Sequence, residues 1–272
     1  MHDHEGMHII DPEIVLPLKT VPQVAYAVGR FLPGGCPGHF PLPDPGFIIG
    51  QQADGAVGQL ADGLFFLVQQ MAFMPGNKNQ EHTLGKAFHG PFWQLREWCG
   101  FEGLCMMTIE QPDLVREMAD FWRDFVSTLL ERILAVVRLD WVHYSEDMAY
   151  KEKAMISPAM CRQFLMPCWT QWSQQVRQAG TRVVDMDSDG FIGELIPLWI
   201  ESGINVCDPI EVAAGCDINA FRRDFGQKMG YVGGVDKRCI AKGGQVIRDE
   251  LARIEPVVRD GGYLPGCDHG VP

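Results

Sequence analysis

The chain has 272 residues, 46% hydrophobic and 21% charged, with a formal net charge of −12 at neutral pH. That length suits one large domain or two small ones, and the balance is that of a globular protein, neither disordered nor membrane-embedded. The acidic total argues against nucleic-acid backbones and anionic lipid surfaces as partners and leaves small molecules open.

No run approaches the roughly 20 apolar residues of a membrane span. The best candidate, residues 129–137, is interrupted by Glu131 and Arg132. The opening Met1-His-Asp-His-Glu-Gly lacks the apolar core of a secretory signal. Nine cysteines at irregular spacing, with no Cys-x-x-Cys, read as free thiols of a cytoplasmic protein, most of them small buried hydrophobes.

Two textures divide the chain. Residues 1–83 are rich in Gly and Pro, as in Leu32-Pro-Gly-Gly-Cys-Pro-Gly and Pro41-Leu-Pro-Asp-Pro-Gly, with short apolar runs at Phe47–Ile49 and Leu64–Val68 that read as strands. Residues 84–272 are regular. Lys86-Ala-Phe-His reads as a strand, and the aromatic-rich stretch Phe92 to Phe101 as core or rim packing.

Gln111-Pro-Asp-Leu opens a long helix, with apolar residues from Leu114 to Ile133 recurring at three and four. Trp141-Val-His-Tyr is a strand, and Ser157-Pro158 caps a helix running to Gly180. Strands follow at Arg182–Asp187, Ile204–Cys207, Tyr231–Val235 and Gly262–Gly266. Helices are expected at Phe191–Ser202, Asp217–Phe225 and Lys237 to about Arg259.

Alternating strands and helices imply parallel pairing with right-handed crossovers. The strands end alike: Ser145-Glu-Asp, Asp187-Ser-Asp-Gly, Cys207-Asp-Pro-Ile-Glu, Gly234-Val-Asp and Cys267-Asp-His-Gly. Acids at the carboxyl ends of successive parallel strands are where a (β/α)₈ barrel builds its active site. A doubly wound sheet also binds ligands there, but no Gly-x-Gly-x-x-Gly or P-loop follows any strand. The expected fold is therefore α/β, a (β/α)₈ barrel with an atypical N-terminal third. The sequence stops at Pro272, just beyond its last strand, so the closing helix of such a barrel is expected to be missing.

Asp185-Met-Asp-Ser-Asp-Gly is the sharpest local signal. Strand alternation puts Asp185, Asp187 and Asp189 on one side, where three carboxylates call for a cation or a shared proton. The alternative is a solvated turn in which Asp189 caps the next helix. Glu146 and Asp147, followed by Tyr150 and Lys151, suit proton transfer or binding of polar substrate groups; the alternative is surface ion pairs.

Cys267-Asp-His-Gly combines a thiol, a carboxylate and an imidazole. Cys267 or His269 can ligate Zn²⁺, His269 can serve as general acid or base, or the segment is a tail without a role. His89 and His143, near strand ends or in apolar runs, read as satisfied core residues. His2, His4 and His8 read as a disordered terminus, and His39 and His82 give no signal.

In order along the chain, His89-Gly-Pro-Phe-Trp, Ser145-Glu-Asp, Ile156-Ser-Pro, Phe164-Leu-Met-Pro, Asp187-Ser-Asp-Gly, Gly233-Gly-Val-Asp and Asp268-His-Gly-Val-Pro resemble the uroporphyrinogen decarboxylase superfamily over about two thirds of the sequence. This group includes methylcobamide-dependent methyltransferases. The resemblance implies a (β/α)₈ barrel whose readable strands are the third to the eighth. It also implies catalytic roles for Glu146, Asp147 and His269 and substrate contacts from His89, Tyr150 and Asp236.

True decarboxylases carry an Arg-Gln-Ala-Gly-Arg loop near the N-terminus. Here Arg177-Gln-Ala-Gly-Thr lies at the wrong end of a mid-chain helix, and residues 1–83 hold no such loop. The methyltransferase branch binds zinc through His-x-Cys before a Gly and a distant Cys. Alignment on Gly190 places Asp187 and Asp189 there, with His269 or Cys267 as the distant ligand. Two carboxylates and an imidazole suit Zn²⁺ or a harder divalent ion.

The resemblance thus implies metal-assisted methyl transfer or demethylation of a small molecule with a corrinoid partner protein. A decarboxylase of tetrapyrrole synthesis, or a truncated non-catalytic barrel, are the alternatives.

Overall fold

Strand β1 (Phe73–Met74) pairs antiparallel with β2 (Thr83–His89). From β2 onward every pairing is parallel and sequential, through β3 (Trp141–Ser145), β4 (Val183–Asp187), β5 (Val206–Ile210), β6 (Gly230–Val235) and β7 (Tyr263–Cys267). The computed structural model describes residues 73–74 and 83–270, all within one unit of the chain, Pro45–Pro272. The strand expectations at residues 47–49 and 64–68, the character of residues 1–83 and the histidines before Lys86 lie outside the described residues.

Sequential order without reversal means that crossovers of one hand put every connection on the same face of the sheet. A doubly wound sheet reverses its order at a switch point, and this one does not. The winding is compatible with a partial (β/α)₈ barrel. Among the described residues β7 pairs with β6 alone, so barrel closure is not among the observed pairings.

Helices α1 (Pro91–Cys99), α2 (Phe101–Glu110) and α3 (Pro112–Leu134) connect β2 to β3. The short α4 (Pro158–Met160) passes through a π-helical turn, Cys161–Leu165, into α5 (Met166–Gln178). There the Met166 amide reaches back to the Cys161 carbonyl, and Pro167 next to it has no N–H to donate. Then come α6 (Ile196–Glu201), α7 (Ile218–Phe225), α8 (Lys237–Lys242) and α9 (Gly244–Asp260). Among the described residues no helix is long and apolar enough to cross a membrane.

Alternation along the strands assigns the two faces. Val142, Tyr144, Val184 and Met186 are fully buried, with 0% exposure, against the helix layer. Tyr144 packs edge-on against Trp172 of α5 at 5.7 Å between ring centres, and Phe88 of β2 packs on both. Trp169, Trp172 and Trp199 are completely enclosed. At about 1.5–3 kcal/mol for each large side chain buried, this layer carries the fold. The opposite face carries His143, Asp185, Asp187 and Asp208, all half-buried.

Three local expectations change. The helix expected at residues 191–202 forms only from Ile196, because Pro197 is tolerated in a first turn and not in an interior. The expected helix from Lys237 to Arg259 breaks where Gly243 and Gly244 adopt φ of +69° and +57°. The aromatic stretch after Gly90 is helical: Pro91 opens α1, Gly100 closes it at φ +70°, and Trp98 sits edge-on to Trp122 of α3 at 5.9 Å.

Gly190 follows β4 at φ +86°, and a Cβ there would lie 2.7 Å from backbone atoms of Ala149 and Tyr150. Gly190→Ala therefore lowers the melting stability by at least about 1–3 kcal/mol, the cost of a strained backbone. An unchanged denaturation midpoint would contradict this close packing of the two loops.

Candidate active site

Beyond the ends of the strands the ladder continues as single bonds. The Gly90 amide donates to the Ser145 carbonyl, Glu146 and Asp147 donate to Asp187, and Ser188 donates to Asp208, at 2.8–3.3 Å. The buried Ser188 hydroxyl accepts from the Met148 amide at 3.0 Å, and the Gly190 amide donates to the Glu211 carboxylate at 2.9 Å. These links hold the loops after β3, β4 and β5 in one register. A bulge falls between Cys207 and Ile210, where Pro209 has no amide for the ladder.

The loops enclose an open cavity of about 320 Å³, lined by Trp93, Asp147, Asp187, Asp189, Asp208, Pro209, Asp268 and His269. Five carboxylates therefore face one imidazole. His269 Nε2 lies 3.3 Å from Asp189 and its Nδ1 3.1 Å from Asp268. Asp268, with a side chain only 4% exposed, also meets Lys237 Nζ at 3.0 Å.

Burial works to raise the Asp268 carboxyl, but bonds from Lys237 and His269 hold it below its ordinary value. The Asp268 bond and the Asp189 charge raise His269. Burial raises Asp189, and the charges of Asp147, Asp187 and Glu211 add to that against His269. Asp147 adopts φ +46°, its carbonyl accepts from Arg96 at 3.0 Å, and its carboxylate lies 3.8 Å from the same guanidinium.

A second group lies deeper, on the face away from the helices. His143 Nδ1 meets Asp185 at 2.7 Å and stands 3.9 Å from Asp208, while its Nε2 faces Asp187 at 3.8 Å. One donor atom each from His143, Asp185 and Asp208 lies within 4.8 Å of the others. Burial opposes the imidazolium, yet the bonds to Asp185 and Asp187 and the neighbouring charges lift His143 to about 10. Burial and the Asp185 charge push the Asp208 carboxyl well up.

Glu146 is fully enclosed and takes no part in the cavity lining. Its carboxylate accepts from the Trp93 amide at 3.0 Å and the Trp169 indole at 2.6 Å. The N-cap of α1 is Gly90, which has no side chain, so Glu146, just past the end of β3, caps that helix. A Cβ on Gly90 would strike the Glu146 carboxyl at 2.1 Å. Burial lifts Glu146 to about 8 against the pull of those donors and Arg96.

Of the residues singled out in the sequence, Asp147, Asp187, Asp189 and His269 meet around the cavity, and Glu146 lies beneath it. The others stand apart. His89 is exposed at the end of β2, its ring 5.2 Å from Trp93. Tyr150 is 73% exposed. Asp236 caps α8 and pairs with Arg238 at 2.8 Å. Cys267 is a half-buried free thiol at the end of β7, outside the lining.

The expected metal set needs correction: Asp187, Asp189 and His269 share the cavity, but among the described residues it is His143, Asp185 and Asp208, and not that set with Cys267, whose donor atoms all lie within 4.8 Å of one another. Asp189 caps no helix and pairs with His269 instead. Sequence reading took His143 for a satisfied core residue, named Asp208 and Asp268 only as acids of strand-end motifs, and gave Trp93 no role. The signal for His143 was its alternation with Val142 and Tyr144 on a strand next to one bearing Asp185 and Asp187.

No family model and no curated protein matches the chain. Solved structures match in fold. A methyltransferase from Methanosarcina mazei superposes with a TM-score of 0.53 at 15% identity, over 71% of this chain and 55% of that one. The chain thus spans about half the length of that protein. The likeness is one of fold.

Glu146→Gln turns an amide N–H toward one of two fixed donors, and loss of about 1–3 kcal/mol in thermal or urea unfolding is expected. His269 should titrate by NMR above its ordinary 6.5 and move down in Asp189→Asn. The sign follows from the raised value: the stabilising pair is complete below about pH 6.5 and is lost as pH rises through the folded-state value. A His269 titration unaffected by Asp189→Asn would contradict the pairing.

Proposed function

We propose that the protein is a cytoplasmic enzyme of metal-assisted methyl transfer or demethylation, acting on a small molecule with a corrinoid carried by a partner protein. The observation that carries this reading is the cavity at the carboxyl ends of a singly wound parallel sheet, lined by carboxylates and one imidazole. The fold likeness to a methyltransferase supports it. A corrinoid, when docked, supplies the methyl-carrying centre. The chain itself binds the small molecule, orients it and manages its proton.

His269, held between Asp189 and Asp268, is placed to give a proton to the atom that loses its methyl group. Asp147 and Asp187 line the same space and suit polar or cationic groups of the substrate. The charge of the cavity speaks against the decarboxylase alternative. A substrate bearing many carboxylates needs convergent cations, yet no Arg or Lys is among the described lining residues, and Arg96 is held on Asp147.

The test is spectroscopic. Purified protein is mixed with methylcobalamin and a panel of thiols, and with cob(I)alamin and a panel of methylated phenols, amines and thioethers. A change in the corrinoid spectrum is expected, slowed about 10²–10⁴-fold in His269→Ala, the range for loss of a positioned proton donor. Turnover of uroporphyrinogen, or an unchanged corrinoid spectrum across both panels, would overturn the reading.

A further inference from the structure

The motif loop after β4 is not where the described residues gather metal donors. We propose that the protein binds one divalent cation on the face of the sheet away from the helices, between His143 of β3, Asp185 of β4 and Asp208 of β5. The site goes beyond the methyl-transfer reading and does not depend on it.

The placement follows from register. His143 is paired with Asp185, and Asp187 with Asp208, on neighbouring parallel strands, so all four side chains project from the same face. The donor atoms of His143, Asp185 and Asp208 already lie within 4.8 Å of one another. An ion held at about 2.0–2.2 Å from each donor draws such atoms to roughly 3 Å apart, a movement within side-chain reach.

A second observation is independent of this convergence. Asp185 Oδ1 and Asp208 Oδ1 are buried atoms with no protein N–H or hydroxyl donor, so the two carboxylates face each other where a shared proton or a cation would sit. Native structures rarely leave carboxylate oxygens so, and an unplaced ion is one of the recognised reasons. Both orphan oxygens belong to the same three-residue group.

Charge and outer contacts agree with a divalent ion. Two carboxylates and a neutral imidazole neutralise a 2+ charge. With Nδ1 turned to the ion, Nε2–H faces Asp187 at 3.8 Å, the place of the outer carboxylate that orients a ligating histidine. One nitrogen and otherwise oxygen donors suit Mn²⁺, Fe²⁺, Co²⁺ or Zn²⁺, without the thiolate preference of a Cys site. Asp208 also lines the cavity, so the ion would sit at its floor, within reach of a bound molecule.

The experiment uses full-length protein stripped with chelator, then dialysed against Mn²⁺, Zn²⁺ or Co²⁺ alone and measured by elemental analysis and calorimetry. One ion per chain is expected. His143→Ala and Asp185→Asn should each weaken binding at least 100-fold, while Asp189→Asn and His269→Ala keep the stoichiometry. Circular dichroism shows which variants fold. Because a variant can fail to fold, X-ray absorption of the metal-loaded wild-type chain supplies a second reading, with nitrogen and oxygen neighbours and no sulfur expected. Absence of stoichiometric metal in the wild type, retention of metal by folded His143→Ala, or sulfur in the coordination shell would each overturn the site.

Discussion

Residues in register on neighbouring parallel strands project from the same face, and in this protein that rule places carboxylates side by side. His143 stands beside Asp185, and Asp187 beside Asp208. With the described connections on the other face, no described helix covers these side chains. The sheet buries Val142, Tyr144, Val184 and Met186 on one side and leaves acids and an imidazole on the other. The chemistry of the molecule rests on that division.

Concentrating negative charge is costly unless it is offset. The structure offsets it in three ways. Lys237 and His269 hold Asp268 ionised, Arg96 stands against Asp147, and the His143 ring is bonded to Asp185 among its acids. Glu146 solves a different problem. Sealed from solvent, it takes the role of a helix cap that Gly90 has no side chain to fill, and so fixes α1 and with it Trp93 at the cavity wall. An acid that reads as catalytic by position is thereby a positioning residue by its contacts.

Most of the regular fold was legible because its signals are local. Pro112 and Ser157-Pro158 mark real helix starts, and the strands from Trp141 onward lie within one or two residues of their expected places, except the end of β5, which runs three residues further to Ile210. Errors arose where two local signals compete, as at Pro197, at Gly243-Gly244 and in the aromatic run after Gly90. The rim was legible in outline, since Asp147, Asp187, Asp189 and His269 do meet. The inner group was not. His143 has apolar neighbours in sequence and acidic neighbours only across the sheet, so its surroundings are a property of register and not of its own strand. Asp208 was hidden for a related reason, since the bulge at Pro209 decides which way the end of β5 aims.

The same register distinguishes two places for a metal. One is the loop after β4, where a family motif would put ligands and where Asp189 is paired with His269. The other is the strand face two residues earlier. An anomalous difference map from crystals grown with Mn²⁺ separates them directly. The expected result is one peak bounded by His143 Nδ1 and the carboxylates of Asp185 and Asp208. A peak beside Asp189 and His269, or none at either place, would contradict the assignment of the metal to His143, Asp185 and Asp208.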